Sequence, residues 1–193
     1  KEFECYFSKL LDTRYSLLTF IDEAYAEYVN EKDYPLGIDY LSRGLNVMFS
    51  RTFSKIHGLA GLRIGYGIST PEIVSYLERI RPPFNVSSIA QEAAFSSLDD
   101  KQHIQKSKKL FLQQKEKLCN ELKKIGLEYV PSSANFVLID MKTNGQIIFE
   151  KLLRKGVIVR AMSEYGLKNF IRVTIGTPSE NRKFIKELRQ WHK

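Results

Sequence analysis

The apolar and polar residues follow three successive patterns along the chain. Residues 1–14 carry apolar side chains at helical spacing, which predicts an amphipathic helix. Short apolar runs over residues 15–24, 45–51 and 62–68 predict three β-strands. Pro71 then predicts the start of a helix that ends near residue 80, because proline is favoured at the first helical position.

A long helical pattern follows and gives way to a second mixture of strands and helices. Residues 87–124 predict two helices that break near Asp99 and Asp100. From residue 127 the order is strand, strand, helix, strand, strand, helix, with the clearest elements over residues 135–140, 147–154, 157–160 and 170–175. Thr177 and Glu180 form a capping-box pattern for the last helix, whose predicted buried face is Phe184, Leu188 and Trp191.

Composition indicates a globular protein of one domain or somewhat more. The chain has 193 residues, of which 43% are hydrophobic, and no apolar run approaches the roughly 18–20 residues of a membrane span. Two cysteines, Cys5 and Cys119, are too few for a disulfide framework and favour a reducing, cytoplasmic location. No histidine, cysteine and carboxylate spacing suggests a metal site.

The net charge of +8 does not by itself indicate nucleic-acid binding. Much of it lies over residues 101–124, where eight lysines accompany two glutamates. The aromatic residues expected between the basic residues of a single-strand binder are missing there, so a solvated helix face is the favoured interpretation. Of the three histidines, His57 is interpreted as a turn residue, and His103 and His192 as surface residues.

The candidate chemistry centres on Lys55, which follows the strand predicted over residues 45–51. Thr52 and Ser54 offer hydroxyl groups to a phosphate, and Arg63 can bind one in a bidentate manner. Gly58 lets the backbone approach a ligand closely. A lysine in this setting suits an imine with a carbonyl cofactor, although a solvated lysine in a turn remains the alternative.

A second polar group follows the strand predicted over residues 15–24. Asp22 lies at the carboxyl end of this strand, and Tyr25 comes three residues later. Open α/β sheets bind their ligands at the carboxyl ends of the strands. The pattern therefore places Asp22 and Lys55 at one candidate site.

These motifs resemble the fold-type I pyridoxal-phosphate-dependent aminotransferases, and among them the histidinol-phosphate aminotransferases. The resemblance lies in residues 22–25 (Asp-Glu-Ala-Tyr), 51–55 (Arg-Thr-Phe-Ser-Lys), 58–63 (Gly-Leu-Ala-Gly-Leu-Arg), 81–86 (Arg-Pro-Pro-Phe-Asn-Val) and 170–177 (Phe-Ile-Arg-Val-Thr-Ile-Gly-Thr). It extends from about residue 17 to the end of the chain, with the motifs in the family's order.

The resemblance implies an α/β fold, the C-terminal part of a fold-type I pyridoxal-phosphate-dependent transferase. Residues 1–85 would contribute late strands of the sheet of the large cofactor-binding domain, and residues 86–126 would form connecting helices. Residues 127–193 would form the small α+β C-terminal domain. Family members are nearly twice as long, so we expect the residues that stack on the cofactor ring to precede this sequence. The isolated fragment is then expected to be inactive.

The resemblance also implies a role for each residue beside the cofactor ring. Lys55 would form the imine with pyridoxal 5′-phosphate and later move the substrate's α-proton. Asp22 would keep the ring nitrogen protonated, and Tyr25 would donate a hydrogen bond to the ring oxygen. Glu23 has no predicted role.

The remaining implied residues bind acid groups. Thr52, Ser54 and Arg63 would hold the cofactor phosphate. Arg172 aligns with the arginine that these enzymes direct at the substrate's acid group. Arg160 matches a second arginine, directed at the substrate's phosphate in histidinol-phosphate aminotransferases.

The activity that the resemblance implies is a ping-pong transamination in histidine biosynthesis. The substrates would be L-histidinol phosphate and 2-oxoglutarate, and the products imidazole acetol phosphate and L-glutamate. A cytoplasmic homodimer is expected, with no nucleic-acid or membrane partner. Two alternatives remain open: a threonine-phosphate decarboxylase, and a non-catalytic aminotransferase-like sensor domain of a transcription regulator.

Overall fold

A computed structural model describes residues 5–7, 9 and 17–190. The chain divides into two compact units, Lys1–Ile104 and Gln105–Lys193. Most of the helix predicted over residues 1–14 lies outside the described residues, although residues 5–7 and 9 are helical. Trp191 and His192 also lie outside them.

The first unit contains a three-stranded sheet. Its strands are β1 (Thr19–Asp22), β2 (Val47–Thr52) and β3 (Gly65–Ile68), in the order β1-β2-β3. β1 and β2 are parallel, whereas β3 runs antiparallel to β2. The three predicted strands are present, each shorter than predicted. Because β1 and β2 are parallel, their last residues, Asp22 and Thr52, lie at the same edge of the sheet, where β3 begins.

Two helices of the first unit begin at residues whose side chains cap them. α1 (Gly37–Ser42) precedes β2, and α2 (Pro71–Ile80), α3 (Ser88–Asp99) and the start of α4 (Lys101–Lys124) follow β3. The side chains of Thr70 and Ser87 accept hydrogen bonds from backbone N–H groups in the first turns of α2 and α3. The predicted break near Asp99 and Asp100 is confirmed.

The second unit contains an antiparallel four-stranded sheet and the rest of α4. Its strands are β4 (Glu128–Val130), β5 (Phe136–Asp140), β6 (Arg160–Ala161) and β7 (Phe170–Thr174), in the order β4-β5-β7-β6. α5 (Gly145–Arg154) connects β5 to β6, and α6 (Pro178–Leu188) follows β7. The predicted order of elements is confirmed, as is the capping box of Thr177 and Glu180.

One face of this sheet carries the core of the second unit. Val137 and Ile139 of β5 and Ile171 and Val173 of β7 are buried, because alternate residues of a strand point to the same face. The helices cover this face with buried residues, which are Leu118 and Leu122 of α4, Ile148 and Leu152 of α5, and Phe184 and Leu188 of α6. The opposite face carries Arg172, which is half-buried.

The strand predicted over residues 157–160 is wrong in its extent, since only Arg160 of that run pairs with β7. The backbone N–H of Val157 instead donates to the carbonyl of Leu152 at the end of α5. Ile158 is 81% exposed. The β-branched residues 157–159 therefore follow the end of α5 and contribute to the core, but they do not pair with the sheet.

Candidate active site

The carboxyl edge of the first unit's sheet brings together the polar residues predicted from two separate motifs. Asp22 ends β1 and pairs in register with Ser50 of β2. Two residues beyond Ser50, Thr52 ends β2 opposite Gly65 of β3. Residues 53–64 connect these two strands at this edge and include Lys55.

Asp22 is held by a turn of its own backbone. One carboxylate oxygen accepts a hydrogen bond of 3.0 Å from the backbone N–H of Ala24. Its second oxygen accepts none from the residues that the structure describes, and the side chain is exposed. An exposed carboxylate with an oxygen available is suited to a cationic N–H group.

Tyr25 and Lys55 approach each other from the two motifs. The Lys55 amine lies 5.1 Å from the centre of the Tyr25 ring, within the range of a cation–π contact. Lys55 is half-buried, because its neighbours Phe53 and Ile56 point into the unit and are buried. The Lys55 carbonyl accepts a hydrogen bond of 2.9 Å from Gly58, whose φ of 76° suits glycine.

Thr52, Ser54 and Arg63 form a group of hydrogen-bond donors. The Thr52 hydroxyl oxygen accepts from the backbone N–H of Ser54 at 3.1 Å, so its hydrogen is left for another acceptor. One terminal nitrogen of Arg63 lies 3.5 Å from the Ser54 hydroxyl and 2.7 Å from the Ala60 carbonyl. The other guanidinium nitrogens donate to none of the described residues. These donors suit a phosphate.

Glu23, for which the sequence predicted no role, is a buried anion of this unit. It is 1% exposed, and its carboxylate accepts from the backbone N–H of Gly37 and from Arg51 Nε, the latter at 2.9 Å. Burial lowers the pKa of the Arg51 guanidinium, but the hydrogen bond and charge of Glu23 outweigh it, so the pKa is raised. Burial and then the Glu23 charge raise the pKa of Tyr34.

Glu23 therefore fixes the strand that leads to Lys55. Arg51 lies in β2, four residues before the lysine. The sequence feature that could have revealed this role is the alternation of exposed and buried side chains in β1. It continues one residue past the strand, so that Glu23 points inward as Ile21 does.

The two predicted substrate arginines lie side by side in the second unit. Arg160 and Arg172 are directly opposite each other in the β6–β7 register, so their side chains leave the same face of the sheet. The Arg160 guanidinium donates to the Tyr165 hydroxyl at 3.0 Å and to Glu164 at 3.3 Å. The Arg172 guanidinium lies 5.0 Å from the centre of the Phe136 ring.

A groove of about 720 Å³ lies elsewhere in the second unit, between α4 and α6. Its walls include Lys117 and Arg182, and none of the predicted site residues contributes to it. Among the residues that the structure describes, no cluster of metal-ligating side chains occurs. No helix over the same part of the chain is long and apolar enough to cross a membrane.

Comparison with known proteins identifies the family. Residues 8–188 match the family "Aminotransferase class I and II". The chain is 50% identical over 172 residues to histidinol-phosphate aminotransferase 1 of Nitrosococcus oceani, an alignment covering 89% of this chain and 46% of that protein. This chain therefore belongs to the aminotransferase class I and II family.

Solved structures agree with this assignment. The histidinol-phosphate aminotransferase of Clostridium acetobutylicum superposes with a TM-score of 0.83 at 26% identity, over 90% of this chain and 53% of that one. The histidinol-phosphate aminotransferase of Sinorhizobium meliloti, solved in complex with pyridoxal-5′-phosphate, superposes with a TM-score of 0.75 at 28% identity. This match covers 90% of this chain and 48% of that one. The predicted fold class, part of a fold-type I transferase, is confirmed. The chain spans about half the length of these relatives.

Proposed function

We propose that the whole protein is a pyridoxal-phosphate-dependent transaminase of the histidinol-phosphate type. It would interconvert L-histidinol phosphate and 2-oxoglutarate with imidazole acetol phosphate and L-glutamate, in histidine biosynthesis. The Nitrosococcus oceani relative bears this activity in its name. The observation that carries the proposal is the Lys55 amine, 5.1 Å from the Tyr25 ring at the edge that also holds Asp22 and Arg63.

The residues present fit pyridoxal 5′-phosphate. The group combines a phosphate, a carbonyl and a basic ring nitrogen, and when bound it supplies an electron-accepting ring. Thr52, Ser54 and Arg63 offer the donors that a phosphate needs. Asp22 would accept the hydrogen bond of the protonated ring nitrogen, because a carboxylate favours the charged form of its partner.

Lys55 would have two roles in this enzyme. Its amine would bind the cofactor carbonyl, and afterwards it would carry the proton that leaves the substrate's α-carbon. A half-buried amine on an anchored turn suits a base that must reach one carbon atom repeatedly. Tyr25 would orient the cofactor ring through its hydroxyl.

Arg172 and Arg160 would recognise the substrates' acid groups. Arg172 would bind the acid end of the substrate in both half-reactions, and Arg160 chiefly the phosphate of histidinol phosphate. Paired guanidinium groups on one sheet face suit a dianion through bidentate hydrogen bonds. We further propose a cytoplasmic homodimer, as the family resemblance implies.

The transaminase is favoured over the two alternatives because the relative with 50% identity is named a histidinol-phosphate aminotransferase. A threonine-phosphate decarboxylase would share the fold and a phosphorylated amino substrate. A sensor domain would bind the cofactor without turning over an amino compound. Assaying the full-length protein with histidinol phosphate and with threonine phosphate separates all three.

The assignment of Lys55 has its own test. Borohydride reduction of the full-length holoenzyme, followed by peptide mapping, should leave the cofactor attached to Lys55. Glutamate formation from 2-oxoglutarate should require histidinol phosphate. A label on another lysine would refute the assignment of Lys55, and carbon dioxide release from threonine phosphate would favour the decarboxylase.

A further inference from the structure

Two histidines outside the proposed machinery hold the turn that carries Lys55. His57 follows the lysine by two residues, and His103 lies in the first turn of α4. We propose that both are positioning residues, which fix the backbone of this turn through hydrogen bonds to or from α3 and α4. The proposal rests on the proposed role of Lys55 as the cofactor lysine.

His103 binds the backbone immediately after the lysine. Its Nε2 lies 2.9 Å from the carbonyl oxygen of Ile56. A carbonyl only accepts hydrogen bonds, so Nε2 must carry the hydrogen. The backbone N–H of His103 donates to the Asp100 carboxylate at 2.9 Å, which fixes the start of α4 and thereby the imidazole.

His57 makes the second connection in the opposite direction. Its Nδ1 lies 3.2 Å from the hydroxyl oxygen of Ser97 in α3. Ser97 donates its single hydroxyl hydrogen to the carbonyl of Ala94 at 2.8 Å. His57 Nδ1 must therefore be the donor to Ser97. The His57 ring also packs on Phe53, with 4.9 Å between ring centres.

The two bonds enclose a segment that is already anchored on its other side. The backbone N–H of Phe53 donates to the Ile64 carbonyl at 3.2 Å, and that of Leu59 donates to the Phe53 carbonyl at 2.9 Å. Ile56 is 2% exposed, so its carbonyl has little access to water and depends on His103. Lys55 lies between the sheet and these two connections.

Such fixation matters because catalysis is sensitive to small displacements. A shift of about 1 Å in a catalytic group can cost on the order of 100-fold in rate. Loss of either histidine donor would let the turn move without removing any group that contacts the cofactor. Turnover should then fall more than substrate binding.

Two pairs of variants test whether the hydrogen-bond donor of each histidine matters, as opposed to the size of its ring. His103→Leu and His57→Phe remove the donors while keeping an apolar side chain. His103→Gln and His57→Asn restore an N–H near Nε2 and Nδ1, respectively. Ser69→Ala is the matched control, because it removes a 2.8 Å bond from a side chain to the backbone of β2.

Hydrogen exchange in the full-length apoprotein gives a readout independent of activity. In the Leu and Phe variants the amides of Gly58 and Leu59 should exchange about tenfold faster or more. The Gln and Asn variants should stay near wild type, and Ser69→Ala should leave residues 53–59 unchanged. In the holoenzyme the Leu and Phe variants should lose about tenfold or more in kcat, with KM within about twofold.

Unchanged exchange and kcat in the Leu and Phe variants would overturn the proposal. Equal impairment in the Gln and Asn variants would also overturn it, because the donors would then not matter. Faster exchange with wild-type kcat, while Lys55 carries the cofactor label, would refute the positioning role alone. A label on another lysine would refute the proposed function of Lys55 instead.

Discussion

At the scale of single residues, Asp22 illustrates how a local turn makes a carboxylate available. Its backbone contact with Ala24 uses one oxygen and leaves the second exposed. The sequence predicted Asp22, Lys55 and Arg63 as site residues because each lies in a motif formed by its neighbours along the chain. Glu23 has partners 14 and 28 residues away, so only the folded sheet reveals its role.

Asp22→Asn should largely abolish turnover of the full-length enzyme while leaving the fold intact. An amide oxygen can still accept from Ala24, but an amide cannot hold the proton of the ring nitrogen. Loss of one charge-assisted hydrogen bond costs about 1.5–3 kcal/mol, which corresponds to at least roughly tenfold in rate. Single-turnover absorbance and thermal unfolding measure the two effects. Near-normal turnover would exclude Asp22 as the partner of the ring nitrogen.

Glu23→Gln should destabilise the protein, because the amide leaves Arg51 without its counter-charge. Breaking a buried pair costs about 3–5 kcal/mol, and Arg51 is 24% exposed, so we expect a loss of roughly 2–3 kcal/mol. Urea unfolding measures the change in free energy of unfolding. Glu92→Gln, in an exposed position of α3, is the matched control and should change stability by less than about 0.5 kcal/mol. Equal effects of the two changes would contradict the role given to Glu23.

At the scale of elements, helix ends were predictable and strand pairing was not. Thr70 and Thr177 cap their helices through contacts three residues away, which a sequence pattern displays directly. The run over residues 157–160 has the composition of a strand. Its pairing depends on β7, about ten residues further on, and only Arg160 reaches it. α1 had no clear signal because it is six residues long.

Glu180 should make the stability of α6 depend on pH. The hydrogen bond from the Thr177 hydroxyl, and then that from the Thr177 backbone, lower the pKa of this carboxyl. A lowered folded-state pKa stabilises the protein above the ordinary value near 4.5, and this contribution is lost as pH falls through the folded value.

Glu180→Gln should therefore lower the melting temperature at pH 7, and its difference from wild type should shrink towards pH 3. Thr177→Ala should cost about 1 kcal/mol at pH 7, as loss of an N-cap usually does. Thermal unfolding at several pH values measures both. Glu187→Gln removes the same charge at the other end of α6 and is the control for the loss of one negative charge. A pH-independent difference for Glu180→Gln would contradict the linkage.

At the scale of the whole molecule, the sequence predicted the order of elements in the second unit and, apart from α1, in the first. It also predicted the long helical connection, within which the structure divides the chain at residues 104 and 105. The domain limits at residues 85 and 126 stay a prediction. The proposed residues are divided between the units, with Lys55 in the first and both substrate arginines in the second.

Arg160→Ala should affect the two half-reactions unequally. The proposed enzyme must accept a phosphorylated amine and a dicarboxylate, and Arg160 is assigned chiefly to the phosphate. The reaction with histidinol phosphate should weaken by about tenfold or more, and that with 2-oxoglutarate by less. Single-turnover absorbance of the full-length holoenzyme reports each half separately. Arg154→Ala, an exposed cation of α5, is the control, and equal losses in both half-reactions would contradict the division of roles.

If Arg160 and Arg172 bind a substrate dianion as proposed, the register that sets them opposite each other would also couple folding to anion binding. Like charges directly opposite on neighbouring strands destabilise the pair by roughly 0.2–1 kcal/mol. A dianion that bridges the two guanidinium groups would relieve this repulsion, and a ligand that binds only the folded state raises its stability. Inorganic phosphate should thus raise the melting temperature more than chloride at equal ionic strength, and Arg160→Ala should reduce the difference, leaving the part that belongs to phosphate bound at Thr52, Ser54 and Arg63. The melting temperature would then rank candidate substrates by their acid groups before any turnover is measured.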